Sequence, residues 1–431
     1  MTTFDKIIPI VKSTFENHRK TVGLFEWLLV NRDLNGRVKL IAPEIPDHEA
    51  HRCALLTNLA NELSALLGPH GHKSIILFEQ DRSVACQGGS IFPLEGFPNV
   101  SLVDRLATEG NWASIAKESD KAPRIVFFSI KGGVGRSSAL AATAWSLAQA
   151  AKRVLVLDLD LESPGISTSL LPEEKRPLYG ITDWLLEDLV DNSEVILDSM
   201  VATSDLSHDG EIYVAPAHGS TPGEYVSKLG RVWMPKVGID GSQESWSRRL
   251  QRLLSVLEQK IKPDVILIDS RAGIDEVASS CVTDLGAHQV LLFSIDGSQT
   301  WSGYRILFNH WRQAEVVEKI RDRLQIISAL TPELDEVAYF ERLRDNAYDL
   351  FLENQYEEIP PGEVAGDRWS FESTDDTAPH YPWTVKWHRS FAGIRSLHHR
   401  LMEIDSDGIK SIFGPLIKGV HQTLGMEKKN A

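Results

Sequence analysis

The sequence predicts an α/β protein, with a mostly parallel, doubly wound sheet flanked by helices and a small N-terminal α/β module ahead of it. Three observations predict this. From about residue 122 onward, apolar runs of strand length alternate with helical patterns. Those runs are apolar throughout instead of alternating with polar residues, as strands covered by helices on both faces are. The first of them, Arg124 to Ser129, leads into a glycine-rich loop and then a helical pattern.

Residues 1–118 carry a pattern of their own. A helix is expected over the first twenty residues, then an apolar segment from Leu24 to Val30. A strand is expected from Arg37 to Ala42 after the Asn35-Gly36 turn signal. His51 to Leu67 has helical spacing, Lys73 to Phe78 reads as a second strand, and Gly88 to Pro98 reads as a Gly/Pro-rich loop. No chemistry-bearing motif stands out here, so a partner-binding or regulatory module is expected.

The second part, 122–431, divides into a core, 122–335, and a helical extension, 336–431. Core strands are expected at Ile125–Phe128, Arg153–Asp158, Glu211–Ala215, Asp264–Asp269, Gln289–Ser294 and Leu324–Ala329. Helices are expected at Ser245–Ile261 and Gln299–Ile320. In the extension, Phe340–Leu352, Phe391–Met402 and Gly408–Leu424 are helical in spacing, Gln355–Pro379 is an acidic loop, and Trp383–Trp387 is a short strand.

Composition excludes several classes. No apolar run approaches the ~20 residues that span a bilayer, and the opening residues lack a basic-then-apolar signal pattern. The three cysteines, Cys53, Cys86 and Cys281, lie far apart, which argues against a disulfide or zinc framework and for a reducing, cytoplasmic setting. A formal net charge of −15 argues against broad non-specific DNA binding.

The chemistry is concentrated at the ends of the expected strands. Between the first strand and its helix lies Ile130 to Ser138, containing Lys131, Gly132, Gly133, Val134, Gly135, Arg136, Ser137 and Ser138. Glycines let backbone N–H groups turn around an anion, and the helix start adds its positive dipole end. Arg136 and Ser137 then fall where a nucleotide's phosphates and Mg²⁺ are held in such loops. The next strand ends at Asp158 and is followed by Asp160; alternation puts the two acids on one side of an extended strand. A third strand, Val265 to Ile268, ends at Asp269, an acid suited to Mg²⁺.

Taken together, these motifs resemble the ParA/MinD family of P-loop ATPases, whose loop reads KGGxGK[ST]. The likeness covers about residues 122–335, with a fainter continuation to 400. It implies an ATP- and Mg²⁺-binding ATPase that works as an ATP-dependent homodimer, with Lys131 reaching the partner's nucleotide. It also implies that Asp160 orients the hydrolytic water, that Ser137, Asp158 and Asp269 serve the metal, and that the backbone at Gly273 senses the terminal phosphate. Pro216-Ala217 matches the family's turn before its dimer-interface region. The chain departs from the family in having Arg136 for lysine, Arg271 where proline is usual, and no Asn in Ser328 to Pro332, where the family often reads adenine. Arg keeps the charge and can grip phosphate with two hydrogen bonds, but it is larger and planar. The rival reading is therefore a nucleotide-bound regulatory adaptor with little turnover. The family's membrane-docking tail is not expected, because Gly414-Pro415 interrupts the amphipathic stretch Ile409–Val420; a core-packed helix is. An unidentified protein partner is expected to engage residues 1–118.

Overall fold

Two sheets organise the chain, each in its own unit. The computed structural model describes residues 2–106, 110–238, 240–360, 366, 368–391 and 397–426. One unit comprises Met1–Ser114 with His310–Val316, the other Ile115–Asn309 with Val317–Ala431.

The first unit holds a five-stranded mixed sheet: β1 (Leu28–Arg32), β2 (Val38–Pro43), β3 (Gly71–Glu79), β4 (Ser90–Leu94) and β5 (Phe97–Asp104), in the order β3-β2-β1-β5-β4. Period-two alternation sorts its side chains. Leu28, Val30, Leu40, Ala42, Val100 and Leu102 join the core formed with the helices Ile7–Asn17 and Ala50–Leu67, while Leu29, Ile41 and Val103 form a smaller cluster with Ala85. The sequence reading of Gly88–Pro98 as a loop is corrected here, because β4 and β5 form an antiparallel hairpin. Gly96 supplies the positive φ, 85°, at its turn, and Pro93 is tolerated because β4 is an edge strand.

The second unit is built on an eight-stranded sheet: β6 (Arg124–Ser129), β7 (Arg153–Asp158), β8 (Ala202–Thr203), β9 (Glu211–Ala215), then, beyond a small hairpin of β10 (Lys236–Val237) and β11 (Gln243–Glu244), β12 (Val265–Ala272), β13 (Gln289–Ser294), β14 (Leu324–Thr331) and β15 (Trp383–Lys386). The order is β15-β14-β13-β6-β12-β7-β9-β8, parallel except for β8 against β9. β12 inserts between β6 and β7, so the ends of these three strands lie side by side. This is where open parallel sheets bind ligands.

The helix Arg136–Gln149 follows β6 and buries Ala139, Ala141, Ala142, Ala144 and Ala148, small residues that let it lie close to the strands. The expected helix Gln299–Ile320 is instead two, Ser298–Gln313 and Val317–Ile320, separated where Glu315 takes a φ of 55° that no helix continues through. Of the expected helix Phe391–Met402, the structure has Leu397–Glu403; residues 392–396 lie outside the described residues. The extension also adds a strand, β15, to the main sheet. The helix Ser406–Thr423 runs through Pro415 and buries Ile409, Phe413, Leu416 and Val420 in the core. Gly419 packs on the Trp383 ring, where an added Cβ would come within 2.5 Å. Burying a side chain such as Leu416 contributes about 1.5–3 kcal/mol. Among the described residues, no helix is long and apolar enough to cross a membrane.

Candidate functional site

The glycine loop, the end of β6, the turn after β7 and the last residues of β12 enclose a cavity of about 510 Å³. Its lining includes Gly132, Gly133, Val134, Gly135, Arg136, Ser137 and Ser138, with Ser129, Asp160, Ser163, Arg271 and Ala272. Gly133 and Gly135 have φ of 75° and 78°, values that favour glycine, and a Cβ on Gly132 or Gly133 would meet nothing within 4 Å. The backbone is thus bare on its open side, which suits close approach of an anion to peptide N–H groups. Gly135 sits at the start of the helix Arg136–Gln149, whose dipole points its positive end into the loop.

Arg136 is placed differently from the sequence expectation. Its side chain turns to protein acids: Nε donates to Asp269 Oδ1 at 2.9 Å, Nη1 to Ser129 Oγ at 2.9 Å, and Nη2 to Asp160 Oδ2 at 3.3 Å. Only 7% of the residue is exposed. The cause is chemical: the guanidinium fork carries donors in three directions, and acids stand in two of them. A lysine at this place would have a single point charge to divide between them.

Asp269, where the sequence reading ended its strand, lies three residues before the end of β12; it is fully buried and accepts from both Arg136 and Ser137, whose Oγ is 2.7 Å from Oδ2. Asp158 ends β7, also fully buried, and accepts from the backbone N–H and hydroxyl of Ser167. Burial, and then the charge of Asp269, push its carboxyl up to about 7, against the Ser167 hydrogen bonds. It does not line the cavity. The expected shared strand face for Asp158 and Asp160 is corrected: β7 stops at Asp158, and Asp160 is set by the following turn, in which Ser163 N–H donates to its carbonyl. Burial raises Asp160 above the usual carboxylate range, with Arg136 pulling the other way. Asp158 Oδ1 and Asp160 Oδ1 are buried with no hydrogen-bond partner.

Lys131 is exposed, with no hydrogen bond or ion pair among the described residues. Gly273 has a φ of 100° and donates its N–H to the Ser129 carbonyl at 2.9 Å, tying the turn after β12 to the end of β6. Pro216 and Ala217 accept from the N–H groups of Ile181 and Thr182, which fixes that turn against the start of the helix Ile181–Asp188.

Four participants escaped the sequence reading. Ser129 and Ser167 hold Arg136 and Asp158, but a single serine beside a strand carries no signal. Tyr225 donates its hydroxyl to the Leu161 carbonyl at 2.6 Å, and burial pushes its ionisation up to about 12, so it remains a donor. Glu162 pairs with Arg271 at 2.6 Å. Arg271 was visible as a departure from the family pattern, its partner was not.

The residues fit a small divalent cation of limited kind. No group of three or more acidic, His or Cys side chains that could hold a metal exists among the described residues. Ser137 and Asp269 lie together, and the unpartnered Asp160 oxygen is near by through Arg136. Such a set suits an ion that keeps waters and takes its remaining oxygens from bound phosphates, as Mg²⁺ does.

Comparisons with known proteins bear on this region. Residues 123–175, spanning the glycine loop, Asp158 and Asp160, match the family model described as anion-transporting ATPase. No curated protein matches the sequence. Among solved structures, the chain is similar to the septum site-determining protein MinD complexed with Mg-ADP from Pyrococcus horikoshii OT3, at 19% identity over 72% of this chain and 99% of that one, TM-score 0.45. It is similar to a plasmid partition protein from Borrelia burgdorferi, at 17% identity over 70% and 99%, TM-score 0.41. A ParA family ATPase from Chlorobium tepidum TLS is similar at 14% identity over 71% and 99%, TM-score 0.42.

Proposed function

We propose that the chain is an ATP-dependent switch ATPase of the ParA/MinD type, acting in the cytoplasm as a nucleotide-dependent homodimer that controls a protein partner. The observation that carries this reading is convergence. A bare glycine loop, a helix start, Ser137, Arg136 and Asp160 line one cavity beside three adjacent parallel strands, and Asp269 binds Arg136 and Ser137 behind that lining.

In this reading the glycine loop and helix start bind the phosphates, and Ser137 and Asp269 hold Mg²⁺, which neutralises phosphate charge when bound. Asp160, which lines the cavity, orients the attacking water. Lys131, exposed and unengaged, reaches the nucleotide of the second subunit. Residues 1–118 engage the partner. The backbone does most of the binding, so the departure at Arg136 leaves nucleotide binding in place.

A second reading, the regulatory adaptor with little turnover, is favoured by one observation: Arg136 is committed to Asp269 and Asp160. Phosphate release and dimer formation separate the two. The wild type is expected to release phosphate from ATP in a Mg²⁺-dependent way and to dimerise with ATP, Asp160→Ala to dimerise without releasing phosphate, and Lys131→Ala to do neither. ATP binding without phosphate release would establish the adaptor; unchanged hydrolysis and dimerisation in both variants would overturn the switch.

A further inference from the structure

We infer that Arg271 is the residue by which this site distinguishes a nucleoside triphosphate from a diphosphate, exchanging Glu162 for the terminal phosphate. This rests on the nucleotide-binding reading above and names the phosphate that the chain itself reads.

The placement of Arg271 begins with a break in β12. Asp269 pairs with Phe127 and Ala272 with Ser129, so β12 carries one residue more than β6 over this step. A bulge of this kind re-aims a side chain at the end of a strand. Ser270 fills the bulge, fully buried, with its hydroxyl on the Arg271 carbonyl at 3.2 Å. Arg271 thereby joins the lining of the cavity together with Asp160, Gly132 and Ser137.

Its two ion pairs differ in what holds the acids. Asp275, 3.2 Å from Nε, is anchored, because it caps the helix Glu276–Ser279 by accepting from Ala278 N–H at 2.8 Å. Glu162, 2.6 Å from Nη2, sits in the turn that carries Asp160, and its side chain is 44% exposed. Arg271 is therefore fixed at one end and latched at the other to the turn after β7. An exposed pair of this kind contributes about 0–1 kcal/mol, so a stronger acceptor displaces it.

A terminal phosphate is that acceptor. The glycine loop and helix start serve phosphates common to di- and triphosphates. The other lining residues come from the end of β6, the turn after β7 and the last residues of β12, and there Asp160 repels an added phosphate while Arg271 is the cation that receives it. Arg136 cannot substitute without giving up the fully buried Asp269 and the part-buried Asp160, a rearrangement far costlier than release of Glu162. A guanidinium–phosphate pair is charge-assisted and two-pronged, stronger than the exposed carboxylate pair it replaces. The exchange frees Glu162 and with it the turn bearing Asp160.

Competition binding in Mg²⁺ buffer tests this, with ADP and a non-hydrolysable ATP analogue against wild type, Arg271→Ala, Arg271→Lys and Glu162→Gln. The wild type is expected to prefer the triphosphate. Arg271→Ala should lose about tenfold in triphosphate affinity and stay within about twofold for ADP. Arg271→Lys should recover part of the loss, and Glu162→Gln should tighten triphosphate binding. Equal effects of Arg271→Ala on both nucleotides, no effect on either, or unchanged or weakened triphosphate binding in Glu162→Gln would overturn the exchange while the nucleotide reading stands. A wild type that binds neither nucleotide overturns both. Unchanged melting temperatures show that the variants fold.

Discussion

Two buried arginine–aspartate clusters in the larger unit look alike in composition and behave as opposites. In one, Asp188, 1% exposed, accepts from Arg249 at 2.8 Å, from Arg252 at 3.0 and 2.8 Å, and from Lys236 at 3.3 Å. Arg249, fully buried, spends its remaining donors on the carbonyls of Leu185, Val232 and Met234. Burial alone would raise Asp188, but hydrogen bonds from Arg252 and Arg249 outweigh it and hold the carboxyl at about 2. In the other cluster, Arg136 is shared between Asp269 and Asp160, while Asp158 and Asp160 keep unpartnered buried oxygens and are raised above the usual carboxylate range. A saturated cluster fastens elements together. An unsaturated one beside a cavity leaves polar capacity unused, at some cost in stability, as functional sites do.

The comparison is broken most directly at the saturated cluster. Asp188→Ala leaves the buried Arg249 charge without its carboxylate and should lower unfolding free energy by about 3–5 kcal/mol in a urea titration. A loss below about 1 kcal/mol would show that the cluster fastens nothing. Acid should weaken the same cluster. A carboxyl lowered from 3.8 to about 2 stabilises the fold above pH 3.8, and that contribution, about 2 kcal/mol, is lost as pH falls toward 2. The wild type should therefore lose its stability advantage over Asp188→Asn in that window.

Mutating the unsaturated cluster should affect activity more than stability. Asp160→Asn removes a charge that burial disfavours and leaves Arg136 with Asp269, so unfolding free energy should change by no more than about 1 kcal/mol. Phosphate release should fall about 100-fold or more. A large loss of stability would make Asp160 a structural acid like Asp188. Smaller still is the expected stability effect of Lys131→Ala, within about 0.5 kcal/mol by thermal melting, since that side chain is exposed and unengaged.

How much of this was legible in the sequence follows from how local each feature is. The strands of the main sheet are continuous apolar runs; the glycine loop and Asp158 stand at strand ends and Asp269 near one, so chain order alone brought out the candidate site. The β4–β5 hairpin was hidden because Gly96 and Pro93 are residues of turns and edges as well as of loops. Alternation set Asp160 on the strand face of Asp158, which fails because β7 ends two residues before it. Partnerships were beyond reach: Arg249 meets Asp188 across 61 positions, and Arg136 meets Asp269 across 133. The second pairing depends on β12 entering beside β6, a fact of topology that no local pattern encodes.

The central claim is that the cavity at the ends of β6, β7 and β12 binds ATP. Equilibrium titration of ATP in Mg²⁺ buffer against the wild type and Ser137→Ala tests it. Saturable binding of one ATP per chain is predicted for the wild type, weakened at least about tenfold by Ser137→Ala. A wild type that binds no ATP, or binding that Ser137→Ala leaves untouched, would contradict it.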